Sequence, residues 1–118
     1  MVEHISPQLD TIFHALSDAT RRGMLASLAL GERSVGELAE PFAMSFAGAS
    51  KHVKVLEEAG LIRREVRGRT HMCSLEPSPL ASADQWLRYY ERFWTARLDA
   101  LEQLLRHEKS KRPDGEKQ

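Results

Sequence analysis

Lys51 and Lys54 stand three residues apart in a stretch, Ser45 to Gly60, whose early positions are otherwise Ala47, Gly48 and Ser50. An ammonium group neutralises a phosphate, a serine hydroxyl bonds a base edge or a phosphate oxygen, and alanine or glycine lets a backbone come close. A second group, Arg67-Gly68-Arg69-Thr70, places two guanidinium forks around a glycine, a chemistry suited to phosphate oxygens and to the minor groove. Lys+Arg and Asp+Glu are both 17 over the whole chain of 118 residues, so total charge selects no partner. Between Phe46 and Met72, however, Lys51, Lys54, Arg63, Arg64, Arg67 and Arg69 outnumber Glu57, Glu58 and Glu65. A local basic excess of this kind draws a polyanion. Each group also has a plainer reading, as the solvated side of an amphipathic helix or as a charged hairpin tip.

The surrounding elements decide between these readings. Ser45 is an N-cap type and Gly60 a C′ stop, so residues 46–59 read as one helix. Phe46, Ala49, Val53 and Leu56 form its inward stripe, and Ala47, Lys51, Lys54 and Glu58 its outer arc. Before it, Ser34-Val35-Gly36-Glu37 is a capping box that opens a short helix burying Val35, Leu38 and Ala39. Pro41 ends that helix at Glu40. A short helix, the connection 41–44 and a capped helix with a small-residue face make a helix-turn-helix. Leu61 to Val66 and His71 to Leu75 then form strands of a hairpin whose tip is the Arg67–Thr70 group, which makes a wing.

Upstream, Ile5, Leu9, Ile12, Phe13 and Leu16 line a first helix, and Met24, Leu25 and Leu28 a second one over residues 18–30, capped by Ser17 or Asp18. Arg21 and Arg22 oppose that helix's dipole unless a phosphate, or a nearby carboxylate such as Asp18, compensates. After Pro77-Ser78-Pro79 a long helix covers residues 80–107. Leu87, Tyr90, Trp94, Leu98, Leu101 and Leu105 form one stripe on it, and Trp86, Tyr89, Phe93, Ala100 and Leu104 another beside it. Together they are too wide for one small core, which points to a homodimer surface shared with the first helix and anchored by aromatics. Its expected residues are Ile5, Leu9, Ile12, Trp86, Tyr90, Phe93, Trp94, Leu98, Leu101 and Leu105. Residues 1–108 read as one DNA-binding and dimerisation domain, and 109–118 as a polar, disordered tail.

Composition narrows the alternatives. One cysteine, Cys73, forbids an internal disulfide and suggests a reducing, cytoplasmic setting. No apolar run approaches the roughly 18 residues of a membrane span, and the start lacks a signal-peptide pattern. His4, His14, His52, His71 and His107 never pair at i,i+4, and Asp84, Glu91 and His107 are too spread for one tetrahedral site. No glycine-rich phosphate loop or nucleophile motif is present, so neither an enzyme nor a cofactor is expected.

The chain resembles the ArsR-type winged helix-turn-helix transcriptional repressors. The matching strings are Ala15-Leu16-Ser17-Asp18-Ala19-Thr20-Arg21-Arg22, Leu38-Ala39-Glu40-Pro41-Phe42, Ser50-Lys51-His52, and Val55-Leu56-Glu57-Glu58-Ala59-Gly60-Leu61-Ile62. The wing with Leu75-Glu76-Pro77 and the segment Trp94 with Arg97 to Glu102 extend the match over about Leu9 to Leu105. The resemblance implies a homodimer joined by first and last helices, with recognition helices in successive major grooves, repressing by blocking a promoter. It implies Ser45, Phe46, Gly48, Ser50, Lys51 and His52 at groove or phosphate positions and Arg67 and Arg69 on the wing, beside Ala47, Lys54 and Thr70 from the reading of the faces. On the wheel, His52 falls near the core edge. The thiol pair that metal-sensing relatives carry before the recognition helix is missing from Val35 to Glu40, which leaves only a metal site assembled across a dimer. Phe46, Ala47 and Ala49 depart from the family's usual polar residue, proline and larger aliphatic. Those three departures together mean either more apolar contact with thymine methyls or a slightly shifted helix.

The expectation is therefore a mainly α winged helix-turn-helix of five helices with a small β-hairpin. Its partners are double-stranded DNA and a second copy of itself, with no membrane. The function expected is a sequence-specific, homodimeric repressor on an inverted-repeat operator with half-sites about 10 bp apart. The alternatives are a protein-interaction module on this scaffold, or a repressor relieved by an unidentified small molecule or metal at the dimer interface.

Overall fold

The computed structural model describes residues 7–110. The order is α1 (Pro7–Leu16), α2 (Ala19–Ala29), β1 (Arg33–Ser34), α3 (Val35–Ala39), a 3-10 turn (Glu40–Phe42), α4 (Phe46–Glu58), β2 (Ile62–Arg67), β3 (Thr70–Leu75) and α5 (Ser78–Ser110). This is the five-helix winged arrangement expected, with one addition. Arg33 and Ser34 pair antiparallel with Cys73 and Met72, so the hairpin is two strands of a three-stranded sheet in the order β1-β3-β2. The chain divides into two compact units, Met1–Asp84 and Gln85–Gln118.

The first unit is built on caps that short-range chemistry dictates. Asp18 accepts from the Arg21 backbone N–H at α2, and that bond holds its carboxyl below the usual carboxylate value. Ser34 and Glu37 close both halves of the capping box at α3, and the Ser34 backbone N–H likewise lowers the Glu37 carboxyl. Ser45 accepts from Gly48 N–H at α4. Gly60, with φ +75°, ends that helix in the left-handed conformation.

Inside, Ala15 of α1, Met24, Leu25 and Leu28 of α2, Val35 and Leu38 of α3, and Ala49, Val53 and Leu56 of α4 form one core with Leu61, Ile62 and Cys73. Pro79 and Ala83, in the first turns of α5, are also buried. Leu9 and Ile12, expected at a subunit interface, are buried within the chain itself. They are therefore not surface that a partner could cover. Ile5 lies outside the described residues, as do residues 111–118 of the expected tail; α5 continues through Lys109 to Ser110, so the helix outlasts its expected end.

Two backbone positions shape the turn between α3 and α4. Phe42 packs its ring against Gly23 of α2, where an added Cβ would lie 2.6 Å from Phe42 Cζ. Ala43 then takes φ 51°, ψ 41°, a left-handed conformation that costs an L-residue about 1–2 kcal/mol. Ala43→Gly removes that cost while adding about 0.4–1 kcal/mol of unfolded-state entropy. A net gain of about 0.5 kcal/mol in denaturant unfolding is the expected result, and a clear loss would contradict it.

The second unit is the remainder of α5. Its apolar residues Leu87, Tyr89, Tyr90, Phe93, Trp94, Leu98, Leu101, Leu104 and Leu105 are all exposed. Trp86 and Tyr90 meet edge-on at 5.0 Å, as do Tyr89 and Tyr90 at 4.8 Å, and Arg92 lies over the Tyr89 and Phe93 rings. No helix among the described residues is long and apolar enough to cross a membrane.

Candidate nucleic-acid interface

The site is assembled from α4 and the β2–β3 tip. On α4, Ala49, Val53 and Leu56 face inward as expected and have no exposed surface, but Phe46 does not join them; it is 61 % exposed. The physical reason lies at the helix end. Side chains tilt toward the N-terminus, so the first residue of a helix projects back past its own start. Phe42 and Met44, from the preceding turn, pack against the core there instead. The outer face carries Ala47, Lys51 and Lys54 exposed, with Gly48 and Ser50 half-buried at its flanks.

The charges sort into two groups. Arg63 pairs with Glu76 at 2.7 Å and Arg64 with Glu57 at 2.6 Å. Arg67, expected to meet DNA from the wing, is clamped inside the chain. Its Nη1 and Nη2 donate to the two carboxylate oxygens of Glu32 at 3.2 and 3.0 Å, and Nη2 also to Glu65 at 2.8 Å. Those carboxylates raise its already high pKa further. Arg67 thus braces the hairpin, and its charge is compensated within the chain while the side chain stays half-exposed. The side chains of Lys51, Lys54 and Arg69 form no ion pair or hydrogen bond with any described residue. Arg69 and Thr70 are exposed, and Gly68 before them holds φ +65° with open space around it. A glycine in that conformation suits the first position of a two-residue hairpin loop.

His52, near the core edge on the helical wheel, is half-buried and engaged inward. Its Nδ1 lies 3.2 Å from Arg21 Nη1 and 4.0 Å from Asp18 Oδ2. Arg21 itself is buried, and its Nε and Nη2 donate to the carbonyls of Ala15 and His14 at 2.8 and 3.0 Å. Arg22 Nη1 donates to Leu16 O at 2.7 Å. The two arginines thus satisfy the open carbonyls at the end of α1, where cations are favoured, and neither reading of them as partners of a phosphate or a carboxylate side chain describes that role. No local pattern announces it, because the acceptors are backbone atoms of the previous helix.

Cys73 is fully buried in the sheet, and burial pushes its thiol up from the ordinary value. An unreactive packed thiol is the consequence. Among the described residues no three His, Cys, Asp or Glu side chains converge in a way that could hold a metal ion.

A capped second helix with a small and cationic outer face, a left-handed turn before it and a basic hairpin after it define a winged helix-turn-helix DNA-binding protein. Comparison with known proteins agrees. A helix-turn-helix domain family matches residues 16–65. The chain is 38% identical over 96 residues to the HTH-type transcriptional regulator Rv2034 of Mycobacterium tuberculosis, covering 81% of this chain and 87% of that one. It is 32% identical over 79 residues to the transcriptional repressor SdpR of Bacillus subtilis, covering 67% and 88%. A crystal structure of an ArsR family transcriptional regulator superposes with a TM-score of 0.70 at 40% identity, covering 75% of this chain and 91% of that one. The protein belongs to the ArsR family of helix-turn-helix transcriptional regulators, which are not enzymes.

Proposed function

We propose that the protein is a homodimeric repressor that places α4 of each subunit in successive major grooves of an inverted-repeat operator, in a reducing, cytoplasmic setting. One observation supports the DNA-facing assignment above the rest. Of the six bases between Phe46 and Met72, three are neutralised within the chain, and the three left over, Lys51, Lys54 and Arg69, belong to the helix surface and the wing tip. Ser45, Phe46, Ala47, Gly48, Ser50 and Thr70 complete the surface, and Arg67 and His52 support it from behind. Residues 1–108 act as one DNA-binding and dimerisation domain in this reading.

The dimer rests on α5. Among the described residues, nine of the twelve large exposed hydrophobic side chains are in residues 87–105, a concentration that marks an interaction surface. Leu98, Leu101 and Leu105 form its aliphatic half and Trp86, Tyr90, Phe93 and Trp94 its aromatic half. Leu101→Glu with Leu105→Glu is expected to yield a monomer in sedimentation velocity and to cost at least tenfold in operator affinity. Retention of a stable dimer by that variant would refute the assignment. The operator is found by selection from genomic fragments and confirmed by mobility shift against nonspecific competitor. Adding candidate small molecules to that assay reads out whether any effector releases the DNA.

A further inference from the structure

The exposed ring of Phe46 has no part in neutralising phosphates. Resting on the DNA-binding reading above, we infer that Phe46 is a specificity-determining residue that packs against the 5-methyl group of a pyrimidine, thymine or 5-methylcytosine, in the major groove. The helix begins with ordinary geometry at the ring. Ser45 adopts ordinary N-cap backbone angles, φ −71° and ψ 160°, and caps Gly48 N–H at 3.0 Å. α4 therefore starts at Phe46 with regular geometry, and the aromatic ring is a side-chain feature of its first turn. At 61 % exposure the ring contributes little to the core. Its neighbours explain how it could reach a base. Ala47 beside it is short and exposed, and Gly48 adds no side chain at all. A Cβ at Gly48 would meet Met44 Cε and Ser45 Oγ at 3.3 Å each, so the turn is already tight.

The chemistry then selects the ligand feature. A phenyl ring has no hydrogen-bond donor or acceptor for base edges. The major groove offers it one apolar group, the C5 methyl of thymine, and the same methyl on a modified cytosine. Lys51 and Ser50, by contrast, can serve any sequence through phosphates and polar edges. Phe46 thus supplies apolar discrimination where the rest of the surface supplies charge and hydrogen bonds.

The test uses the full chain and its selected operator, with thymines replaced one at a time by deoxyuridine, which removes only the methyl. For the unaltered protein, uracil at one position of the site is expected to weaken binding about fourfold, the value of one buried methyl. Phe46→Ala should bind the thymine operator about fourfold more weakly and lose the thymine–uracil difference at that position, whereas Phe46→Leu should keep part of it. Circular dichroism confirms that both variants fold. If the protein binds the operator but Phe46→Ala leaves every thymine–uracil ratio unchanged, the inference fails while the DNA-binding reading stands. If no fragment is bound in preference to competitor, both fail. If Phe46→Ala binds the operator undiminished but loses association with a purified protein partner, the ring is a protein contact and the inference is likewise overturned.

Discussion

Lys51→Ala combined with Arg69→Ala is expected to weaken operator binding by at least an order of magnitude at about 0.15 M salt, and to flatten its salt dependence. Each phosphate that a cation neutralises contributes about 0.9 to the slope of log K against log salt, so the slope of the double variant should fall by about 1.8 per subunit. The reason for choosing these two lies in the ion-pair pattern. Arg63, Arg64 and Arg67 are compensated by Glu76, Glu57, Glu32 and Glu65, so they have little capacity to displace counterions from the duplex. Lys51 and Arg69 have no such partner among the described residues. A paired control sharpens the comparison. Arg67→Gln with Glu65→Gln removes one charge of each sign and should leave the slope nearly unaltered. Equal slopes for the Lys51/Arg69 variant and the unaltered protein, measured by fluorescence anisotropy over a salt series, would contradict the site.

The largest effect on stability is expected at Arg21. Its guanidinium is buried and bonds the carbonyls of His14 and Ala15 while touching His52. Arg21→Ala removes both bonds, leaves the Ala15 carbonyl without its guanidinium donor while His14 O keeps the Ser17 N–H and hydroxyl, and opens space beneath α4. Hydrogen bonds to a charged group are worth about 1.5–3 kcal/mol each, and orphaned buried acceptors cost about 1–3 kcal/mol, so a loss of about 3 kcal/mol is expected once relaxation is allowed for. Arg22→Ala removes one exposed hydrogen bond to Leu16 O and should cost less than about 1 kcal/mol. Urea unfolding of both variants checks the ranking, and similar losses for the two would argue against it. Because His52 belongs to α4, Arg21→Ala should also weaken operator binding even where the variant remains folded.

What was legible in the sequence was whatever short-range chemistry enforces. Ser34 with Glu37, Ser45, Pro41 and Gly60 each act within four residues, and each delimits an element where the structure puts it. The resemblance to the ArsR repressors added the order of elements. Misread or missed features have a common cause, a partner far along the chain or an edge of the periodic pattern. Glu32 meets Arg67 across 35 residues, and no local rule pairs them. β1 is two residues long, too short to show alternation. Phe46 fits the period of the α4 stripe, but a helical wheel has no ends, and the ring stands where the helix begins. Arg21 was visible as a cation at the wrong pole of α2; the carbonyls it satisfies belong to α1.

The contact between Gly23 and Phe42 has a consequence beyond the core. α4 leaves a turn whose aromatic ring rests where a methyl group on α2 would otherwise be. The seating of that turn on α2 is thus gauged by a missing atom, like a lens seated on a spacer of zero thickness. Slipping even an alanine into that seam would act as a shim and, on the proposed reading, retune which bases α4 can touch while every side chain of its outer face stayed the same.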